Sequence, residues 1–152
     1  MSTILLTYGT RPIAQRIAKL LSTQHQLILA TNEEVPSVLA NTYKSIPNPA
    51  NPVFAHEMLK LCLDQGIDTV LPLGEAEIEV LSRSTILFEE YGISVLFPLL
   101  TPQQEVAKQV TSDISLQIIH HSKSLLDESQ SPDAIENGVY AIVGNNWLPV
   151  II

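Results

Sequence analysis

A chain of 152 residues with 45% apolar side chains is long enough to bury one full core without disulfides or a structural metal. Sixteen acidic against eight basic residues leave a formal charge of -8 with no cluster of Lys or Arg, which argues against nucleic acid as a partner. Cys62 is the single cysteine, so an internal disulfide is excluded, and the apolar run near the start is too short for a signal core or a membrane span. A soluble, cytoplasmic protein with no membrane partner is expected.

Residues 3–8, "TILLTY", form an unbroken apolar and β-branched run, the pattern of a strand covered on both faces in a parallel sheet. Pro12 opens "PIAQRIAKLLS", a helix with Ile13, Ile17, Leu20 and Leu21 at helical spacing. "QLILAT" (26–31) reads as a second strand. A loop of about twenty residues follows, with four prolines and four asparagines, a length more often functional than idle. "VFAHEMLKLCLDQG" is a second helix that carries Phe54, Met58, Leu61 and Cys62 and closes at Gly66. "IDTVLPL" (67–73) is a third strand, "EAEIEVLSRSTILFEEYG" (75–92) a third helix, and "ISVLFP" (93–98) a fourth strand.

Alternation of strand and helix predicts an α/β fold, a three-layer Rossmann-like parallel sheet of order 2-1-3-4 with right-handed crossovers. Residues 1–98 form that domain. Residues 99–152 are expected to pack on it as a C-terminal helical segment plus a β-hairpin. One or two helices are predicted over 101–129, capped by Thr101 with Pro102 at the first position and carrying Val106, Val110, Ile114, Leu116, Ile118 and Ile119. "VYAIVGNNWLPVII" then reads as two strands turning at Gly144-Asn145-Asn146.

In an open parallel sheet, ligands settle outside the carboxyl ends of the strands where the strand order reverses, here between strands one and three. Thr7–Arg11 and Leu73–Glu77 would form the two lips, so Tyr8, Gly9, Thr10, Arg11, Gly74, Glu75 and Glu77 are the candidate ligand-binding residues. The loop "TYGTRP" has one glycine where a dinucleotide fingerprint needs three, and no Walker lysine. What it offers is a helix N-terminus with free amides, which attracts anions. Arg11 precedes a proline and so falls in the cap region, where it is expected to meet an ion pair with Glu75 or Glu77, the commoner outcome for a surface cation, or a bound anion. Glu75, Glu77 and Glu79 at a helix start also serve the helix dipole.

No nucleophile, acid-base or metal set stands out, and no catalytic residue or metal ligand is assigned. Adjacent His120 and His121 on a helix would point about 100 degrees apart and could not share an ion. His25 and His56 are expected on the surface. Cys62 reads as a small buried apolar group. Trp147 and Tyr140 read as a packing lid, on a hairpin that would also suit self-association.

The segments "TILLTYGTRPIAQRIAKLL", "SVLANTYKSIP", "HEMLKLCLDQGIDTVLPLGEAEIEVLS" and "YGISVLFP", over residues 3 to 98, resemble the N-terminal domain that precedes the ATP-grasp fold in carbamoyl-phosphate synthase large subunits and related carboxylate-amine ligases. The most specific part is Gly66-Ile67-Asp68, then the strand, Pro72 and an acidic residue heading a helix. The resemblance implies a pre-ATP-grasp domain whose strand-end loops line a substrate pocket, with Gly9, Thr10, Arg11 and Glu75 facing the ligand. The family continues into a helix with an Asp-Lys pair, whereas here Asp113 is followed by Ile114. ATP-grasp lobes would have to follow, so ATP and magnesium are expected only if a partner chain supplies them, and catalysis by this chain alone is not expected. The leading expectation is a stand-alone, non-catalytic module that binds a small anionic metabolite or nucleotide. The alternatives are the substrate-side subunit of a split ATP-grasp ligase and a structural homodimer without ligand.

Overall fold

The computed structural model describes residues 1–100, 105–132 and 135–152. The chain runs β1 (Thr3–Leu6), α1 (Pro12–Leu21), β2 (Gln26–Thr31), a short 3-10 turn (Ser37–Leu39), β3 (Tyr43–Ser45), α2 (Phe54–Gln65), β4 (Thr69–Leu71), α3 (Glu75–Ser82), α4 (Thr85–Glu90), β5 (Ser94–Val95), β6 (Ser115–His120), β7 (Lys123–Ser124), β8 (Gly138–Val143) and β9 (Asn146–Pro149).

The first five strands form a parallel sheet of order β3-β2-β1-β4-β5. The four strands β2-β1-β4-β5 stand in the order the sequence predicts. β3 is an addition: it lies within the Pro- and Asn-rich loop and pairs with the outer edge of β2, Tyr43 opposite Leu29. β1 is central and sealed on both faces, with Ile4, Leu5 and Leu6 each 0% exposed. Ile4 and Leu6 join one apolar cluster and Leu5 the other, because successive side chains of a strand point to opposite faces.

The crossovers decide which helix covers which face. β1 to β2 moves one way along the sheet and places α1 on one face, through Ala14, Ile17 and Leu21. The return across β1 to β4, and the step on to β5, move the other way, so right-handed connections put α2, α3 and α4 on the opposite face. There Phe54, Met58, Cys62, Leu81 and Phe88 close the second cluster. α2 ends as predicted at Gly66, whose φ of 66° is the left-handed cap conformation.

α1 alone cannot cover its face. The remainder is closed by a four-stranded antiparallel sheet of order β7-β6-β8-β9, which packs Leu116, Ile118, Val139 and Ala141 against Leu6, Leu71, Leu73 and Leu96. This corrects the expected C-terminal helices. Leu116 and Ile118 alternate with Ser115 and Gln117, a two-residue period that buries one strand face, and Ile118 and Ile119 are β-branched. Upstream, the carbonyls of Thr111 and Ile114 accept hydrogen bonds from the Arg16 guanidinium on α1, and the Ile114 amide donates to the Thr111 carbonyl, which makes this stretch a turn rather than a helix. Thr101 and Pro102, the expected cap, lie outside the described residues. The hairpin around Gly144 is present as β8 and β9, with Ile142 opposite Trp147.

The predicted helix over 75–92 is two helices, α3 and α4. Between them the Ser82 hydroxyl donates to the Glu79 carbonyl and the Thr85 hydroxyl to the Ser82 carbonyl, side-chain bonds that compete with continued helix. Among the described residues no helix is long and apolar enough to cross a membrane.

Candidate functional site

β1 and β4 are hydrogen-bonded neighbours, so the loops leaving their carboxyl ends share one rim. The two lips are joined directly: the Thr7 hydroxyl oxygen accepts from the Leu73 amide at 2.9 Å, and the Thr7 amide donates to the Leu71 carbonyl. β1 stops at Leu6, two residues earlier than the apolar run suggests, because Tyr8 turns into the left-handed region at φ 51°. That conformation is costly for a side chain this large and turns the chain sharply toward α1.

Gly9 answers to packing. Its amide donates to the Ala30 carbonyl, and a Cβ here would lie 2.8 Å from the Leu29 Cβ. Gly9→Ala is therefore expected to lower stability by about 1–3 kcal/mol by forcing the loop off β2, measurable as a reduced urea midpoint with unchanged slope. Gly74 meets the other side of the same crevice: a Cβ there would sit 2.5 Å from Cε2 of Tyr8. The Tyr8 ring thus fills the gap between the lips, with the Arg11 guanidinium 5.6 Å from its centroid. Burial raises the Tyr8 phenol above its ordinary range, and the Glu77 carboxyl adds to the effect.

Arg11 pairs with Glu33, which corrects the expected partner. Its Nε donates to Oε1 at 3.0 Å and its Nη2 to Oε2 at 3.3 Å, while the Thr10 hydroxyl donates to Oε1 at 3.2 Å. β2 flanks β1 on the side away from β4, and the Glu33 amide donates to the Thr31 hydroxyl oxygen in a tight turn that brings this carboxylate to the rim. The hydrogen bond from Arg11 holds the Glu33 carboxyl below the usual carboxylate range.

Glu77 is turned inward. It is 1% exposed, accepts the Gly74 amide at 3.3 Å as a helix cap, and burial pushes its carboxyl up to about 7. Glu75 is exposed and lines a separate cleft of about 260 Å³ with Ile78, Phe97 and Pro98. The structure therefore brings Tyr8, Gly74 and Glu77 together beneath the rim, and Thr10 and Arg11 together above it with Glu33.

Beside Arg11 lies a cleft of about 290 Å³ that no sequence pattern announces. Arg11, Pro12 and Ile13 form one wall, Lys108, Gln109 and Val110 the other, with Ile152 at the side. Lys108 reaches this place because Ala107 bridges to Val150: its amide donates to the Pro149 carbonyl at 2.7 Å, and the Ile151 amide donates to its own carbonyl. Ile152 in turn donates its amide to the Leu73 carbonyl on the far lip. The start of α1 carries no side-chain cap and Pro12 has no N–H, so the amides of Ile13 and Ala14 are the first-turn donors, with no side-chain acceptor among the described residues. Among the described residues, the lining of this cleft holds two cations and no Asp or Glu.

Other chemistry is not assembled at this rim. Cys62 is buried and its thiol is pushed up to about 12, which removes it as a nucleophile. His120 ends a strand rather than sitting on a helix, and its ring stacks on that of His121 with centroids 4.1 Å apart. Among the described residues no three His, Cys, Asp or Glu side chains are grouped to hold a metal ion. Tyr140 is buried with its phenol pushed up to about 12, and Trp147 packs beside it at 6.0 Å. In comparisons with known proteins, no family model matches the chain and no curated protein matches it.

Proposed function

We propose that this chain is a non-catalytic binding module that takes a small anionic metabolite or nucleotide phosphate at the carboxyl ends of its parallel strands. The observation that carries this reading is the cleft at the uncapped start of α1, with Arg11 on one wall and Lys108 on the other. In a protein of formal charge -8, this lining carries Lys108 and Arg11, the latter shared with the Glu33 carboxylate, and no carboxylate of its own. The rim already handles an anion of this kind, because Arg11 and Thr10 hold the Glu33 carboxylate with three donors. A ligand phosphate or carboxylate would share or replace that contact. Tyr8, Gly9 and Gly74 shape the loops, and Glu77 and Glu75 stand back from the charged wall. The resemblance to pre-ATP-grasp domains fits this role, with ATP and magnesium supplied by a partner chain where a ligase is assembled.

Calorimetric titration with inorganic phosphate and with ATP at low ionic strength tests the reading. Arg11→Ala and Lys108→Ala are each expected to weaken binding by about tenfold, the loss of one charge-assisted contact, and Glu33→Gln to strengthen it by removing the internal competitor. Affinity for both anions that is unchanged in the Arg11→Ala, Lys108→Ala double variant would overturn it, as would the absence of binding by the unaltered chain.

A further inference from the structure

At the opposite end of the parallel sheet, where the strands begin, a second cleft of about 450 Å³ separates the start of β2 from the β6–β7 turn. Three of the four histidines in the chain, His25, His120 and His121, line it together with Lys123. Glu128 is the acidic side chain in the lining. Apart from it, Asp68 just ahead of β4 acts on His120, and its carboxylate is already engaged by the Thr3 amide and the Thr69 hydroxyl.

The protonation pattern favours donors over metal ligands. His25 Nδ1 accepts a hydrogen bond from the Ser2 amide at 3.1 Å, so the neutral ring carries its proton on Nε2 and has no free nitrogen lone pair for a cation. His120 and His121 are stacked within 4.1 Å, and burial, then the neighbouring His121 ring, hold the His120 imidazole below its ordinary range. An anion placed between these rings and Lys123 would offset that effect. Lys123 and Glu128 carry opposite charges in the lining; protonation of His120 makes the cleft cationic while the rest of the molecule stays acidic.

We propose that this cleft, lined by His25, His120, His121 and Lys123, is a second, pH-gated site for a small polyvalent anion, occupied when His120 is protonated and emptied as it loses its proton. It is independent of the Arg11 rim, being lined by none of the same residues.

The experiment follows the imidazole carbon-proton resonances of the whole chain by NMR during titration with inorganic pyrophosphate, and separately with citrate, at about pH 5.5 and about pH 7.5. His120 and His121 resonances are expected to shift in a saturable manner at the lower pH, with affinity about tenfold weaker at the higher. His56, on α2 and outside the cleft, serves as the internal control and should stay in place. Lys123→Gln and His121→Asn alter exposed side chains, and Asn tolerates the left-handed conformation that His121 adopts at φ 52°. Both should weaken the response while the Arg11→Ala variant retains it. A shift with pyrophosphate alone would assign a phosphate ligand, and a shift with citrate alone a polycarboxylate. No saturable shift with either anion, equal movement of His56, or a response unchanged in both cleft variants would overturn the proposal.

Discussion

Between about pH 4.5 and about pH 7 the stability of this protein is expected to fall by about 3 kcal/mol on account of Glu77 alone, and Glu77→Gln should remove that slope. Burial under the rim raises the folded-state value to about 7 from an ordinary 4.5, against the opposing pull of the Thr7 hydroxyl and the amides of Gly74 and Leu73. A carboxyl whose folded value lies above its unfolded one binds its proton more tightly in the native state. Stability contributed by that proton is complete below the unfolded value and is lost as pH rises through the folded one. Above that window the native state must carry a desolvated carboxylate. Glutamine keeps an oxygen for the Gly74 amide and has no proton to lose. Urea unfolding of both proteins across the range checks this, through the difference between their slopes rather than their absolute stabilities. Parallel curves would show that Glu77 does not titrate in this environment.

Ile118→Ala is expected to cost about 3 kcal/mol, with one cooperative transition retained. Ile118 is 0% exposed and belongs to the cluster that joins β6 and β8 to β1, β4 and α1. Removing three carbons there takes apolar area from the layer that completes the face α1 leaves open. A loss below about 1 kcal/mol, or separate melting of the two sheets, would mean that the antiparallel layer rests on the parallel one without sharing its core.

The parallel sheet was readable from sequence because β1, β2 and β4 are apolar runs without the alternation of a half-solvated strand, and because Pro12 and Gly66 punctuate the helices between them. β3 gives no strand signal because it contributes only Tyr43, Lys44 and Ser45, amid prolines and asparagines that read as loop. β6 departs from the helix the pattern predicts for a physical reason as well. Val106, Val110 and Ile114 recur every four residues, which is helical spacing, yet Ala107 bridges to Val150 and Arg16 ties down the carbonyls of Thr111 and Ile114, so tertiary contacts override the local pattern.

The candidate site divides along the same line. That the β1 and β4 loops meet follows from strand order, and Arg11 at the cap follows from Pro12. Glu33 could not be chosen as its partner without knowing how the turn after β2 closes on Thr31. Lys108 had no local signal at all, since its place depends on pairing between the segment after β5 and residues beyond β9. Glu77 had an ambiguous one: an acidic residue in a first turn suits the helix dipole whether it faces water or, as here, the interior.

The proposed function stands or falls on whether the Arg11–Lys108 cleft holds an anion at the start of α1. A crystal structure of the Glu33→Ala variant grown with inorganic phosphate tests it most directly. Tetrahedral density bridging the Arg11 guanidinium and the Lys108 ammonium, within hydrogen-bond reach of the Ile13 and Ala14 amides, is the expected result. An Arg11 side chain turned to solvent with no anion between the two walls would contradict it.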